Sequence, residues 1–118
     1  MAFAYARLTE ITTIATSAGS LYANPSGTTT YIRMIVLHNA NTTAEEVKLY
    51  NVPDNAASVG TAAETNLFYD PPAELAAGDT KILEFPAPGV MLVDENDTIQ
   101  GLTDTVSKVT FQMYGATE

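Results

Sequence analysis

The stretch TYIRMIVLHNANTTAEEVKLYNV, Thr30 to Val52, decides the fold class. It reads as two strands joined by the polar turn Asn39-Ala40-Asn41-Thr42-Thr43, because β-branched and aromatic residues fill both halves and turn formers fill the middle. The second half alternates, with Val47 and Leu49 on one face and Glu46 and Lys48 on the other. The first half does not alternate. It is apolar on both sides, and regular pleating sends Tyr31, Ile35 and Leu37 one way and Ile32, Met34 and Val36 the other. A strand with one wet face should alternate apolar and polar residues. Something must therefore cover the second face of Tyr31 to Leu37, either another segment of the chain or another subunit.

The rest of the chain repeats the strand pattern. Short runs rich in Thr, Val, Ile and Tyr are separated by Gly, Pro, Asn and Asp, and helical periodicity is almost absent. Strands are expected at EITTIATS, GSLYA, TTYIRMIVLHN, EEVKLYNV, ETNLFYD, TKILEF, GVMLV, TIQGLT and VSKVTFQMYG, making seven to nine in all. The pattern predicts an all-β, antiparallel β-sandwich, jelly-roll-like or immunoglobulin-like. Residues 1–9 are set apart as an extended N-terminal arm and residues 10–118 as a single domain. Alternation puts Val109, Phe111 and Met113 in the core from the last strand, and Leu83 and Phe85 from TKILEF.

Composition excludes several function classes. The chain has 118 residues and no cysteine, so disulfides, thiolate nucleophiles and thiolate metal sites are all absent. The net charge is -9 with only five basic residues, Arg7, Arg33, Lys48, Lys81 and Lys108. Nucleic acid and anionic membrane surfaces need clustered cations, so neither is an expected partner. The start MAFAYARLTE lacks the basic and apolar regions of a signal peptide, and no apolar run approaches the roughly 20 residues that span a bilayer. The expected place of synthesis is the cytoplasm.

A search for chemistry finds little. His38 is the one histidine, and it has no neighbouring nucleophile signature. It is expected to bond the NANTT turn. Asp94, Glu95 and Asp97 crowd the turn DENDT and form a weak calcium candidate, although the spacing is not that of an EF-hand. No glycine-rich phosphate loop is present. No catalytic residue and no cofactor is assigned, and the protein is expected not to be an enzyme. The second face of Tyr31 to Leu37 instead points to an interface. Tyr and Arg are enriched at interfaces, so Tyr31, Arg33 and Ile35 are candidates, together with Phe3, Tyr5 and Arg7 of the arm.

The segments YIRMIVLHNANTTAEEVKLYNVP, FYDPPAELAAGDTKILEFPAPGVMLVDENDTIQGLT and SKVTFQMYG resemble a group of small virion structural proteins of tailed bacteriophages. The similarity runs from about Thr29 to Gly115. It rests on the LHNANTTAE turn, on the L-x-x-G-D-T turn of Leu75, Gly78, Asp79 and Thr80, and on the DTIQG strand. The resemblance implies a non-enzymatic β-sandwich that assembles on a virus particle. The favoured position is that of a capsid decoration or cement protein, a homotrimer on the capsid surface that binds the major capsid protein and is made in the host cytoplasm. The alternatives are a tail, neck or baseplate component and, less favoured, a carbohydrate-binding module stacking sugars on Tyr22, Tyr50 or Tyr69.

Overall fold

The short runs of strand formers become two antiparallel sheets packed as a sandwich. The structure, a computed structural model, describes residues 4–69 and 74–118. Among them are eleven strands, β1 Ala4–Arg7, β2 Thr12–Thr13, β3 Gly19–Ala23, β4 Thr30–Asn39, β5 Glu45–Val52, β6 Leu67–Tyr69, β7 Glu74–Leu75, β8 Thr80–Glu84, β9 Val90–Leu92, β10 Thr98–Thr103 and β11 Val109–Thr117, with a 3-10 turn at Glu64–Asn66. The first sheet, sheet A, has the order β1-β11-β4-β8, with β2 also on β11 and β9 also on β4. Sheet B has the order β3-β10-β5-β6, with β7 also on β5. The first expected strand, EITTIATS, shrinks to Thr12–Thr13.

β4 and β5 are neighbours in sequence but do not pair. β4 belongs to sheet A and β5 to sheet B, and the same is true of β11 and β10. The segments 40–44 and 104–108 are therefore arches between sheets and not hairpin turns. Both arches lie at the same end of the sandwich, and Glu45 binds them together. Its Oε1 accepts from Thr103 Oγ1 at 2.8 Å and from Thr105 N–H at 2.9 Å. Its Oε2 accepts from Thr105 Oγ1 at 2.8 Å and Asn41 Nδ2 at 3.1 Å. The side chain is buried with no cation beside it among the described residues. Burial pushes the carboxyl pKa up, but the four donors outweigh burial and hold it below the ordinary glutamate value. Asn39 completes this end. Its amide donates to the carbonyls of Thr43 and Leu75, and its oxygen accepts from Asn41 N–H.

The core lies between the sheets. Ile32, Ile35 and Leu37 of β4 and Val109, Phe111 and Met113 of β11 meet Val47, Leu49 and Ile99 of sheet B. Leu83 and Phe85 pack on its margin, as alternation predicts. The motifs behind the phage resemblance are fold determinants. Leu75 is core, Gly78 has φ +74 at the turn, and Asp79 presents its carbonyl to Asn39 N–H at 2.9 Å. A positive φ is where glycine is favoured.

β4 corrects the strict alternation. Tyr114 pairs with Met34 but Gly115 pairs with Ile32, so Arg33 is an extra residue, a β-bulge. The bulge reverses the parity of the pleat. Ile32, Ile35 and Leu37 point inward, and Tyr31, Met34 and Val36 point outward. Gly115 makes the bulge possible, since a Cβ there would lie 2.0 Å from the Tyr31 carbonyl oxygen. The bulge also divides the neighbouring edge. β8 pairs with β4 below it and β9 above it, and residues 85–89 loop between them.

From Ala4 to Arg7 the N-terminal arm is extended and pairs with β11 of its own chain. Leu8 N–H continues the zipper to Met113 O at 2.7 Å. The arm is thus an edge strand of the domain over these residues.

Candidate interaction surface

Residues directly opposite each other in adjacent strands share a face, so the registers define the outer face of sheet A row by row. One row is Arg7, Tyr114, Met34 and Glu84. The next is Gln112, Val36 and Ile82, followed by Thr13, Thr110, His38 and Thr80. On the other side of the first row lie Ala116, Tyr31 and Met91. Tyr31, Met34, Val36 and Tyr114 are half-buried, whereas Ile82 is 55% and Met91 43% exposed. Among the described residues no strand stacks over this face. The second face of β4 that the sequence singled out is this surface.

A shallow groove of about 420 Å³ opens beside the bulge, between Ala6, Arg7, Arg33, Met34, Glu84, Phe85, Tyr114 and Gly115. It gathers both arginines of the chain. Arg7 lies 3.3 Å from Glu10, the one ion pair among the described residues. Such an exposed pair contributes little, about 0–1 kcal/mol. Arg33 donates Nε–H to Phe85 O at 3.1 Å, which fixes the guanidinium at the rim, and its other N–H groups make no hydrogen bond among the described residues.

The sequence candidates divide as follows. Arg7, Tyr31 and Arg33 reach this face. Tyr31 donates its hydroxyl to Glu118, and that hydrogen bond, with burial and the carboxylate charge, raises its pKa. Ile35 does not reach the face. It is fully buried opposite Met113 and Leu83, because the bulge turns it inward. Phe3 lies outside the described residues, and Tyr5 is placed by its backbone opposite Ala116. His38 bonds Thr80 Oγ1 at 2.8 Å across the sheet and not the NANTT turn, whose anchoring falls to Asn39. Among the described residues no third group orients the imidazole, and the pair sits on an open sheet surface without a cleft.

The acidic turn is rearranged relative to expectation. Carboxylate oxygens of Asp94 and Asp97 lie within 4.8 Å of one another and of Asp54, and Glu95 is not in the group. Asp97 is a scaffold. One oxygen accepts from Asp54 N–H at 2.9 Å, the other from Val93 and Asp94 N–H at 3.1 and 3.0 Å. Burial raises its pKa, but the backbone donors of Asp94, Asp54 and Val93 prevail and lower it. Asp54 is likewise engaged, by Ala57 N–H at 2.8 Å. These bonds tie the 53–58 loop to the 93–97 turn, and Asn96 Nδ2 adds a bond to Ala57 O at 2.6 Å. Three carboxylates this close can hold a divalent cation, but the oxygens of Asp97 are already committed to backbone.

Of the tyrosines named for sugar stacking, Tyr22 and Tyr50 are not arranged for it. Tyr50 is core, and Tyr22 packs on the core with its hydroxyl at Thr30 Oγ1, 3.2 Å away. The ring of Tyr69 lies outside the described side chains. Comparison with protein-family models, curated proteins and solved structures finds no match to this chain.

Proposed function

We propose that the protein is a non-enzymatic structural component of a tailed-phage virion, a capsid decoration or cement protein that binds the head shell as a homo-oligomer. The observation that carries this reading is the outer face of sheet A. It places Ile82 and Met91, exposed, beside half-buried Tyr31, Met34, Val36 and Tyr114. A contiguous apolar patch on a small acidic protein is a surface to be packed against. The resemblance of the turn and strand segments to phage virion proteins supplies the setting. The carboxylates with lowered pKa, Glu45 and Asp97, hold arches and turns, which is a structural use of charge. Many weak contacts repeated over a shell give high avidity without a deep pocket.

The test is immunogold labelling of the phage particles whose genome carries this sequence. Gold on the head surface supports decoration. Gold confined to the neck, tail or baseplate moves the protein to that position, and unlabelled particles that lack the chain by mass spectrometry refute the virion reading.

A further inference from the structure

The groove at the Arg33 bulge has a complementary surface on the same chain. Arg7 and Arg33 stand at the groove against one lining carboxylate, Glu84, among the described residues, on a chain of net charge -9; Arg7 also lies 3.3 Å from Glu10, an exposed pair that an incoming carboxylate can displace. The groove walls are apolar, from Met34, Phe85 and Tyr114. At the end of the sandwich, the turn after β9 has the opposite character. Val93 is 53% exposed and is followed directly by exposed Asp94 and Glu95. No hydrogen bond engages the side chain of either acid among the described residues. The turn is also rigid, since Asp97 takes the N–H groups of Val93, Asp94 and Asp54, and Asp97 N–H donates to Asp94 O at 3.1 Å. Its shape is therefore set before any contact, which lowers the entropy lost on binding.

We propose that the groove of one copy receives the Val93-Asp94-Glu95 turn of a second copy. Val93 lies against Met34, Phe85 and Tyr114, and the two carboxylates face Arg33 and Arg7. Arg is suited to this role because its planar fork can grip a carboxylate through two parallel hydrogen bonds. Groove and turn are different patches, and each chain carries both, so the contact can repeat from copy to copy and close into a ring. It also overcomes the general repulsion between two acidic chains, which at physiological salt is screened beyond about 8 Å while a close charge pair is not. This inference rests on the reading of the outer face of sheet A as a packing surface. Labelling of particles tests that reading and solution mass tests this one, so either can fail alone.

The experiment is sedimentation velocity with light scattering on the full chain at about 0.5 mM, a concentration that populates even a contact of high-micromolar Kd. The wild type is expected to form complexes of two or more chains. Two reversed proteins, Arg33→Glu and the double variant Asp94→Lys with Glu95→Lys, are each expected to associate at least about tenfold more weakly. Mixed in equal amounts they should associate again, because each groove then meets a turn of opposite charge. Arg7→Glu, at a half-exposed side chain, provides a second groove variant should Arg33→Glu disturb the bulge. Circular dichroism on each sample confirms folding. A monomeric wild type, undiminished association of the folded reversed proteins, or a mixture that stays monomeric would each overturn the proposal.

Discussion

Glu45→Gln isolates the node that holds the two arches. In the native protein four donors converge on the carboxylate, from Thr103, Thr105 twice and Asn41. Glutamine keeps one oxygen. If that oxygen stays on Thr103 and Thr105 N–H, the new NH2 group meets Thr105 Oγ1, which can turn to accept, and Asn41 Nδ2, which cannot. The opposite flip sets NH2 against the fixed Thr105 N–H and is worse. One buried donor pair is thus left opposed, and the charge that strengthens the other bonds is gone. An unmet buried donor costs about 1–3 kcal/mol, so a loss of about 2 kcal/mol at pH 7 is expected. The assay is urea unfolding of both proteins from pH 7 down to pH 3. The folded-state pKa of Glu45 lies below its unfolded value, so its ionised form contributes stability that is complete above about pH 4.3, the ordinary glutamate value. That contribution fades as pH falls from there through the folded pKa. The gap between wild type and variant should therefore be widest at pH 6–7 and narrow steadily below about pH 4.3. A gap under about 0.5 kcal/mol at neutral pH, within the range of an ordinary surface substitution, or a gap that does not change with pH, would refute the assignment of Glu45 as an ionised clasp.

Three further outcomes follow from the packing. Ile35→Asp places a carboxylate in the core and should destabilise by at least about 4 kcal/mol, whereas Ile82→Asp on the outer face should leave the unfolding midpoint nearly unchanged; equal effects of the two on stability would contradict the assigned faces. Gly115→Ala forces a Cβ against the Tyr31 carbonyl and should cost about 1–3 kcal/mol, seen as a lower urea midpoint; an unchanged midpoint would show that the bulge does not depend on this glycine. Millimolar calcium should leave the melting temperature within about 1 °C, because the oxygens of Asp97 are already taken by backbone N–H groups and a cation that does not bind the native state cannot stabilise it; a rise of several degrees that EDTA reverses would make Asp54, Asp94 and Asp97 a cation site.

By itself the sequence determined the class of fold and most of its wet faces. The runs of Val, Ile, Thr and Tyr between Asn, Asp, Gly and Pro led to two antiparallel sheets, and simple alternation placed Val47, Leu49, Val109, Phe111 and Met113 in the core. These features are local, since the pleat has period two and a turn needs only a few residues. The same parity puts Glu45 on the face of Val47 and Leu49, a signal of its inward position that the sequence reading did not use. Its partners were not legible, because Thr103 and Thr105 lie 58 and 60 residues away. Sheet membership was hidden for the same reason. A polar linker such as NANTT serves as a hairpin turn or as an arch between sheets, and only the pairing of β4 with β11 and of β5 with β10 decides which. The faces of β4 show the limit most clearly. Strict alternation across Arg33 put Ile35 with Tyr31, and one extra residue reversed the parity. That residue is accommodated because Gly115, distant in sequence, lets the Tyr31 carbonyl come close. The groove beside that bulge, with both arginines at its rim, is assembled from β1, β4, β11 and the end of β8, so tertiary structure decided which face of β4 turns outward.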